Sequence, residues 1–162
     1  MPDLETQIAA GLALEREGSE GEAIEYFRRL VKQHPDDARV RFEYAGAHDF
    51  AGYEAEAIPI YEEAMRLGLA SEFLPRAYLQ LGSSLRNVGR YDEAVQTLNE
   101  GCERFPDFHA LRIFRAFALY SAGRCRDAVV ELLETLLSQP DSPLLGGYAR
   151  AIRYYTGEIK AE

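Results

Sequence analysis

Glycine and alanine recur along this chain at a fixed spacing, and that repeat restricts the fold more than any other feature. A glycine series and an alanine series both advance by 34, 37 and 34 residues, so they share the same three-residue excess. The two series are Gly18, Gly52, Gly89, Gly123 and Ala23, Ala57, Ala94, Ala128. Four residues after each alanine stands an aromatic residue or a leucine, namely Phe27, Tyr61, Leu98 and Leu132. Four units of this length predict stacked structural repeats rather than a single round core.

Each unit is expected to hold two helices joined by a short turn. The glycine supplies the positive φ that closes the first helix, and the alanine lies where the two helices approach closely. Pro35, Pro106 and Pro140 close three of the units, because proline lacks an N–H and opposes continuation of a helix. Polar residues after these prolines are predicted to cap the next helices: Asp36 or Asp37, Asp107, and Asp141 or Ser142.

This pattern resembles the tetratricopeptide repeat (TPR), a helix–turn–helix unit of 34 residues. The third unit carries the clearest match: Tyr78, Leu81, Gly82, Leu85, Gly89, Tyr91, Ala94, Leu98 and Pro106. The resemblance implies one all-α domain over residues 1–162, a right-handed α-solenoid with a C-terminal capping helix. The expected repeats run over about 4–37, 38–71, 75–108 and 109–142, with residues 72–74 inserted. Residues 56–61 and 80–94 are also similar to segments of small bacterial TPR proteins.

Two segments depart from the repeat. Pro59 falls within the second helix of the second unit, which predicts a kink there or a helix that begins late. Beyond residue 142, apolar residues at helical spacing predict a last helix over about 143–160, with Pro143 in its first turn. That helix is expected to cap the exposed apolar face of the last repeat. The alternative is that it docks into the groove or onto a second copy of the chain.

The charge of the chain argues against nucleic acid and anionic membranes as partners. The net charge is −9, and residues 1–81 hold 16 acidic and 8 basic side chains. Cys102 and Cys125 are too few for a disulfide framework. No apolar run has the length of a membrane span, and the first five residues lack the features of a signal peptide. The cytoplasm is therefore the expected compartment.

The TPR resemblance also predicts a binding groove, because in this family the first helix of each pair lines the concave face. The predicted partner-binding residues are Arg39, Phe42, Asp49, Phe50, Arg76, Leu79, Ser83, Arg86, Asn87, Ile113, Phe117 and Tyr120. Their arginines and aromatic residues favour a peptide or helix with acidic and apolar groups. The alternative is that the aromatic residues pack internally and the arginines pair with neighbours such as Asp49.

The sequence predicts no catalytic site, cofactor site or metal site. His34, His48 and His109 are far apart in sequence, and no arrangement of serine or cysteine with histidine and an acid can be defended. Gly146 and Gly147 lack the surroundings of a phosphate-binding loop. The expected function is therefore a non-catalytic module or scaffold for protein–protein interaction. A structural protein that self-associates through its C-terminal helix or solenoid edges is the alternative.

Overall fold

The computed structural model describes residues 2–139 and 141–161, and within these residues all regular secondary structure is helical. One 3₁₀ turn, Pro143–Leu145, precedes the last helix. The α-helices in chain order are α1 (Leu4–Arg16), α2 (Glu20–Gln33), α3 (Ala38–Phe50), α4 (Glu54–Arg66), α5 (Leu74–Asn87), α6 (Tyr91–Arg104), α7 (Ala110–Ser121), α8 (Cys125–Leu137) and α9 (Ala149–Ala161). The predicted all-α class is confirmed.

The first eight helices form four consecutive pairs that stack along the chain. Each odd-numbered helix packs against the next helix, and each even-numbered helix packs against the start of the following pair. The helices α1, α3, α5 and α7 also contact one another in sequence order. These four helices form one continuous side of the stack, called the inner row below.

The turns within the four pairs share one geometry. Their glycines have φ values of 76°, 78°, 84° and 76°, in the left-handed region that favours glycine, which confirms the predicted glycine ends: Gly18, Gly52, Gly89 and Gly123. In each turn the N–H that follows the glycine donates to a carbonyl five residues earlier, at 2.9 Å. This bond is the mark of a Schellman end, which satisfies carbonyls that the helix leaves open.

The predicted helix boundaries hold at several sites and fail at others. Helices α2 and α6 end before Pro35 and Pro106, as predicted, whereas Pro140 lies outside the described residues. Asp37 caps α3, since its Oδ1 accepts from the N–H of Val40 at 2.9 Å. The predicted cap Asp107 is wrong, because α7 begins only at Ala110 and has no side-chain cap.

Pro59 is accommodated inside helix α4. The helix begins at Glu54 and continues through the proline to Arg66, so the predicted late start is wrong. Pro59 and Ala55 are both exposed, so water can reach the carbonyl that the missing N–H of proline leaves open.

The small residues of the repeat bring the helices close together. All four residues of the alanine series are buried, as predicted. Phe27, Tyr61 and Leu98 are buried as well, whereas Leu132 on the last repeat is exposed. Gly82 on α5 faces Leu98 on α6 so closely that a Cβ atom at Gly82 would lie 2.8 Å from Leu98 Cδ2. The glycine therefore sets the distance between these two helices.

The C-terminal segment differs from the predicted helix over 143–160. Pro143 opens a 3₁₀ turn, capped by Ser142, and not an α-helix. Gly146 and Gly147 then take φ values of 51° and 82°, which an α-helix cannot contain. The α-helix begins only at Ala149. It packs against α8, so it covers the end of the last repeat as expected of a cap.

We expect Gly82→Ala to destabilise the protein by about 1–2 kcal/mol, because the added methyl group would overlap buried Leu98. Gly46→Ala is the matched control. A Cβ atom at Gly46 would lie 4.0 Å from its nearest neighbour, Tyr61 Oη, so the better helix propensity of alanine should stabilise by up to about 1 kcal/mol. Urea unfolding monitored by circular dichroism measures both. Equal effects of the two substitutions would contradict the close approach at Gly82.

Candidate functional site

A cavity of about 320 Å³ opens on the inner row, between the first three repeats. Its walls come from α1, α3 and α5 and from the first residue of α4. The residues that line it are Leu12, Glu15, Glu43, Gly46, Asp49, Phe50, Glu54, Arg76, Gln80, Ser83 and Asn87. This set is called the inner groove below. Helix α9 contributes no residue to it.

Five of the residues predicted to bind a partner line the inner groove: Asp49, Phe50, Arg76, Ser83 and Asn87. Six lining residues are outside the predicted set: Leu12, Glu15, Glu43, Gly46, Glu54 and Gln80. Glu43 and Gln80 each follow a predicted residue by one position. Successive residues lie about 100° apart around a helix, so α3 and α5 are rotated by part of that angle relative to the predicted orientation. Glu54 was also missed, because it lies at the start of a second helix, a position that the family pattern does not assign to the groove.

Two predicted aromatic and apolar residues lie in the core instead of the groove. The side chain of Phe42 is 1% exposed, and its ring lies 5.9 Å from Tyr61 and 6.3 Å from Phe73. Leu79 is half-buried against the same core cluster. The prediction that Phe42 lies in the groove is therefore wrong, since Phe42 packs internally, as the alternative anticipated.

The three predicted arginines have different surroundings. Arg39 lies 3.8 Å above the ring of Phe73 and pairs with Glu43 at 2.6 Å, so it is outside the lining of the groove. Arg86 donates to the side chain of Asn87 at 2.9 Å. Only Arg76 lines the groove, where its side chain is exposed.

The predicted residues of the fourth repeat form a separate patch on α7. Ile113, Phe117 and Tyr120 are all exposed, and none of them lines the inner groove. The ring of Phe117 makes an edge contact with Phe114 at 5.8 Å. The structure thus divides the predicted binding surface into a polar groove over the first three repeats and an apolar patch on the fourth.

Asp49 occupies the base of the inner groove and is held by two hydroxyl groups. Its carboxylate accepts from Ser84 Oγ at 2.8 Å and from Tyr61 Oη at 3.3 Å. Burial raises the pKa of Asp49, and the two hydrogen bonds oppose that rise. The predicted pairing of Asp49 with an arginine is wrong: within the described residues its side-chain hydrogen bonds come from these two hydroxyl groups, and it forms no ion pair within 4.0 Å.

Glu15 is the most perturbed acid in the groove. Burial raises the pKa of Glu15 to about 7, the negative charge of Glu43 adds to the rise, and Arg16 opposes it. Its Oε1 atom is buried without a hydrogen-bond partner. A carboxyl group in this state exchanges its proton near neutral pH.

The histidines lie apart from the groove. His48 stacks edge-on against Tyr44 at 4.8 Å and Tyr53 at 6.3 Å, and burial lowers the pKa of its imidazole. His109 lies 3.4 Å from the side-chain amide of Gln139. Within residues 2–139 and 141–161, no three histidine, cysteine or acidic residues are arranged to hold a metal ion. In the same part of the chain, no helix has the length and apolar character needed to cross a membrane.

Family models match most of the chain. A model described as "Tetratrico peptide repeat" covers residues 38–159, and one described as "Tetratricopeptide repeat" covers residues 4–47. The chain belongs to the tetratricopeptide repeat family. This assignment agrees with the stacked helix pairs of the structure and confirms the resemblance carried by the repeat spacing.

Solved structures with the same fold include other TPR proteins. MamA AMB-1 is 19% identical with a TM-score of 0.73, over 86% of this chain and 81% of that one. MamA MSR-1 is 19% identical with a TM-score of 0.72, over 87% and 80%. TPR-like repeats of a Podosopora anserina protein described as a kinesin light chain are 20% identical with a TM-score of 0.75, over 98% and 92%. No curated protein matches the chain. These likenesses establish the TPR fold.

We expect the stability of this TPR domain to fall as pH rises from about 4.5 to about 7, in the part that Glu15 contributes. In this pH range the folded state keeps a proton on Glu15 that the unfolded state has released. Because Glu15 has a higher pKa in the folded state, its contribution to the free energy of unfolding is greatest below about pH 4.5 and is lost by about pH 7. Glu15→Gln removes this dependence. Urea unfolding should therefore show the variant gaining stability relative to the wild type between about pH 4.5 and about pH 8.

Glu5→Gln is the control, because Glu5 lies on the same helix with its side chain exposed. The difference between this control and the wild type should change little over the same pH range. If the stability of Glu15→Gln depends on pH in the same way as that of Glu5→Gln, the pKa of Glu15 is not raised by folding.

Proposed function

We propose that this TPR domain is a non-catalytic interaction module that binds a peptide or helical segment of a partner protein in the inner groove. The observation that carries the proposal is the groove itself, an open cavity built by three helices of the inner row. A module of this kind acts by holding its partner, so its function depends on shape and on charge.

The extent and lining of the groove support a peptide segment as the occupant. The open cavity of about 320 Å³ extends from α1 across α3 to α5. Phe50 is 59% exposed at its edge, and Leu12 contributes a second apolar contact. Apolar anchors beside polar groups are the usual means by which a groove recognises an extended or helical peptide.

The test uses a peptide library displayed on phage, selected against the immobilised domain. Ser83→Tyr should weaken binding of the selected peptides at least about tenfold, because Ser83 lines the groove and a ring there would fill it. Ser71→Tyr is the matched control at an exposed position before α5 and should bind normally. Isothermal titration calorimetry measures both. Unchanged affinity for every selected peptide in Ser83→Tyr would place binding elsewhere.

A second candidate function is self-association through the C-terminal segment. Leu144 is 85% exposed and Tyr148 71%, and the neighbouring rings of Tyr154 and Tyr155 are exposed as well. These four exposed side chains lie close together in sequence, and exposed apolar side chains that cluster mark interaction sites in soluble proteins. A homo-oligomer would bury this segment.

Sedimentation velocity over a hundredfold range of concentration tests self-association. We expect the mean sedimentation coefficient to rise with concentration in the wild type and to stay constant in Tyr154→Ser/Tyr155→Ser, which removes two exposed rings. Tyr53→Ser is the control for an exposed aromatic residue outside the segment, since Tyr53 is 53% exposed. A wild type that sediments as a monomer throughout would exclude this function.

A further inference from the structure

The inner groove carries a strong excess of negative charge. Glu15 comes from α1, Glu43 and Asp49 come from α3, and Glu54 begins α4, whereas the lining contributes a single cation, Arg76. Burial is the main cause of the raised pKa values of Glu15 and Asp49, and the neighbouring negative charges of Glu43 and Glu54, respectively, add to it. The groove therefore favours a positively charged occupant.

Unpartnered acceptor atoms point to the same occupant independently of the charge count. Glu15 Oε1 and Gln80 Oε1 are buried in the groove without a hydrogen-bond partner. The side chain of Glu43 is 5% exposed, and its hydrogen bond within the described residues uses Oε1 alone. Buried acceptors without a donor are costly and uncommon. Two helices, α1 and α5, thus place buried acceptors without a donor in one cavity, beside the buried carboxylate of Glu43 on α3.

The cations of the chain do not fill this place in the structure. Arg39 is already stacked on Phe73 and bonded to Glu43 from outside the lining. The guanidinium carbon of Arg76 lies 5.8 Å from the ring centre of Phe42. Among the described residues, Arg76 forms neither an ion pair within 4.0 Å nor a side-chain hydrogen bond. Three of the groove carboxylates have partners: Asp49 accepts from two hydroxyl groups, Glu43 pairs with Arg39, and Glu54 Oε1 accepts from Asn87 Nδ2 at 3.2 Å. The buried acceptors of Glu15 and Gln80 have none, so a cation from another molecule would supply their missing donors.

We propose that the inner groove binds one protonated side chain, an arginine or a lysine, from the peptide segment of a partner protein. This inference rests on the proposed function and adds the chemistry of the partner. Guanidinium and ammonium groups carry only donors, which match carboxylate and amide oxygens. Leu12 and Phe50 line the same groove and can cover the aliphatic stem of such a side chain. An acidic partner, which the sequence favoured, becomes the competing outcome.

Binding of a cation is coupled to the proton on Glu15. Charged groups surround it on every helix of the groove: Arg16 on its own helix, Glu43 and Asp49 on α3, Glu54 on α4 and Arg76 on α5. Of these, Glu43 raises the pKa of Glu15 and Arg16 lowers it. A cation in the groove favours the ionised carboxylate, so its affinity should rise as pH increases through about 7 and then level off.

The first experiment is an NMR titration of the ¹⁵N-labelled domain with four capped amino acids. The cations are N-acetyl-arginine amide and N-acetyl-lysine amide. N-acetyl-citrulline amide has the shape of arginine without its charge, and N-acetyl-glutamate amide represents an acidic partner. We expect saturable shifts at the amides of Gly46 and Ser83 with the two cations, and at least tenfold weaker binding of the other two. Citrulline or glutamate binding as tightly as arginine would overturn the proposal.

Three groove variants test the same point from the side of the protein. Glu15→Gln and Glu54→Gln should each weaken binding of the arginine amide at about pH 8 by about threefold or more, because each removes one carboxylate. Arg76→Gln should strengthen binding, because it removes the competing cation. Glu5→Gln, on the exposed side of α1, is the control. Unchanged affinity in both groove glutamate variants, or weaker binding in Arg76→Gln, would contradict the proposal.

The phage selection separates this inference from the proposed function. Selected peptides that carry arginine or lysine, and that lose binding when this residue becomes citrulline or norleucine, support both proposals. Peptides that lose binding in Ser83→Tyr without containing a required cation leave the groove as a binding site but overturn the cation pocket. Arginine amide binding without any groove-dependent peptide supports the cation pocket and removes the peptide-binding function.

Discussion

The close contact of helix pairs at small residues is the interaction on which the rest of this structure depends. Gly82 lets the side chain of Leu98 approach the backbone of α5, and the buried alanine series provides a small residue in each of the four pairs. Because each pair has nearly the same internal spacing, the pairs can stack in register. That stacking aligns α1, α3, α5 and α7 in one row. The groove exists because this row is continuous.

The groove is polar because aromatic residues beside it pack into the hydrophobic core. Phe42 and Tyr61 pack inward, while Glu15, Glu43 and Asp49 stay beside the cavity. Burying acids in this way costs stability unless protons, hydroxyl groups or cations compensate for the charge. The hydroxyl groups of Ser84 and Tyr61 compensate at Asp49. At Glu15 the proton compensates, as its pKa of about 7 indicates.

The repeat spacing was sufficient to predict the helix pairs and their glycine turns, since these follow from period and from backbone conformation. The row of first helices was predicted from the resemblance to the TPR family. The face that each helix presents was harder to predict. Phe42 and Glu43 are neighbours in sequence. A rotation of helix α3 by less than 100°, the angle between successive residues, decides which of the two side chains packs into the core and which lines the groove. The predicted helix after residue 142 was wrong for a different reason. Its apolar spacing is helical throughout, but the backbone of Gly146 and Gly147 breaks the helix regardless of that pattern.

The inner groove joins parts of the stack that otherwise act separately. In a solenoid each repeat contacts only its neighbours, so its repeats can open from one end without disturbing the other. Leu12 and Glu15 belong to the first pair, whereas Gln80 and Ser83 belong to the third. A side chain held between them would act as a brace across the middle pair. Occupancy of the groove would then make the N-terminal half of the array unfold as one unit instead of fraying pair by pair.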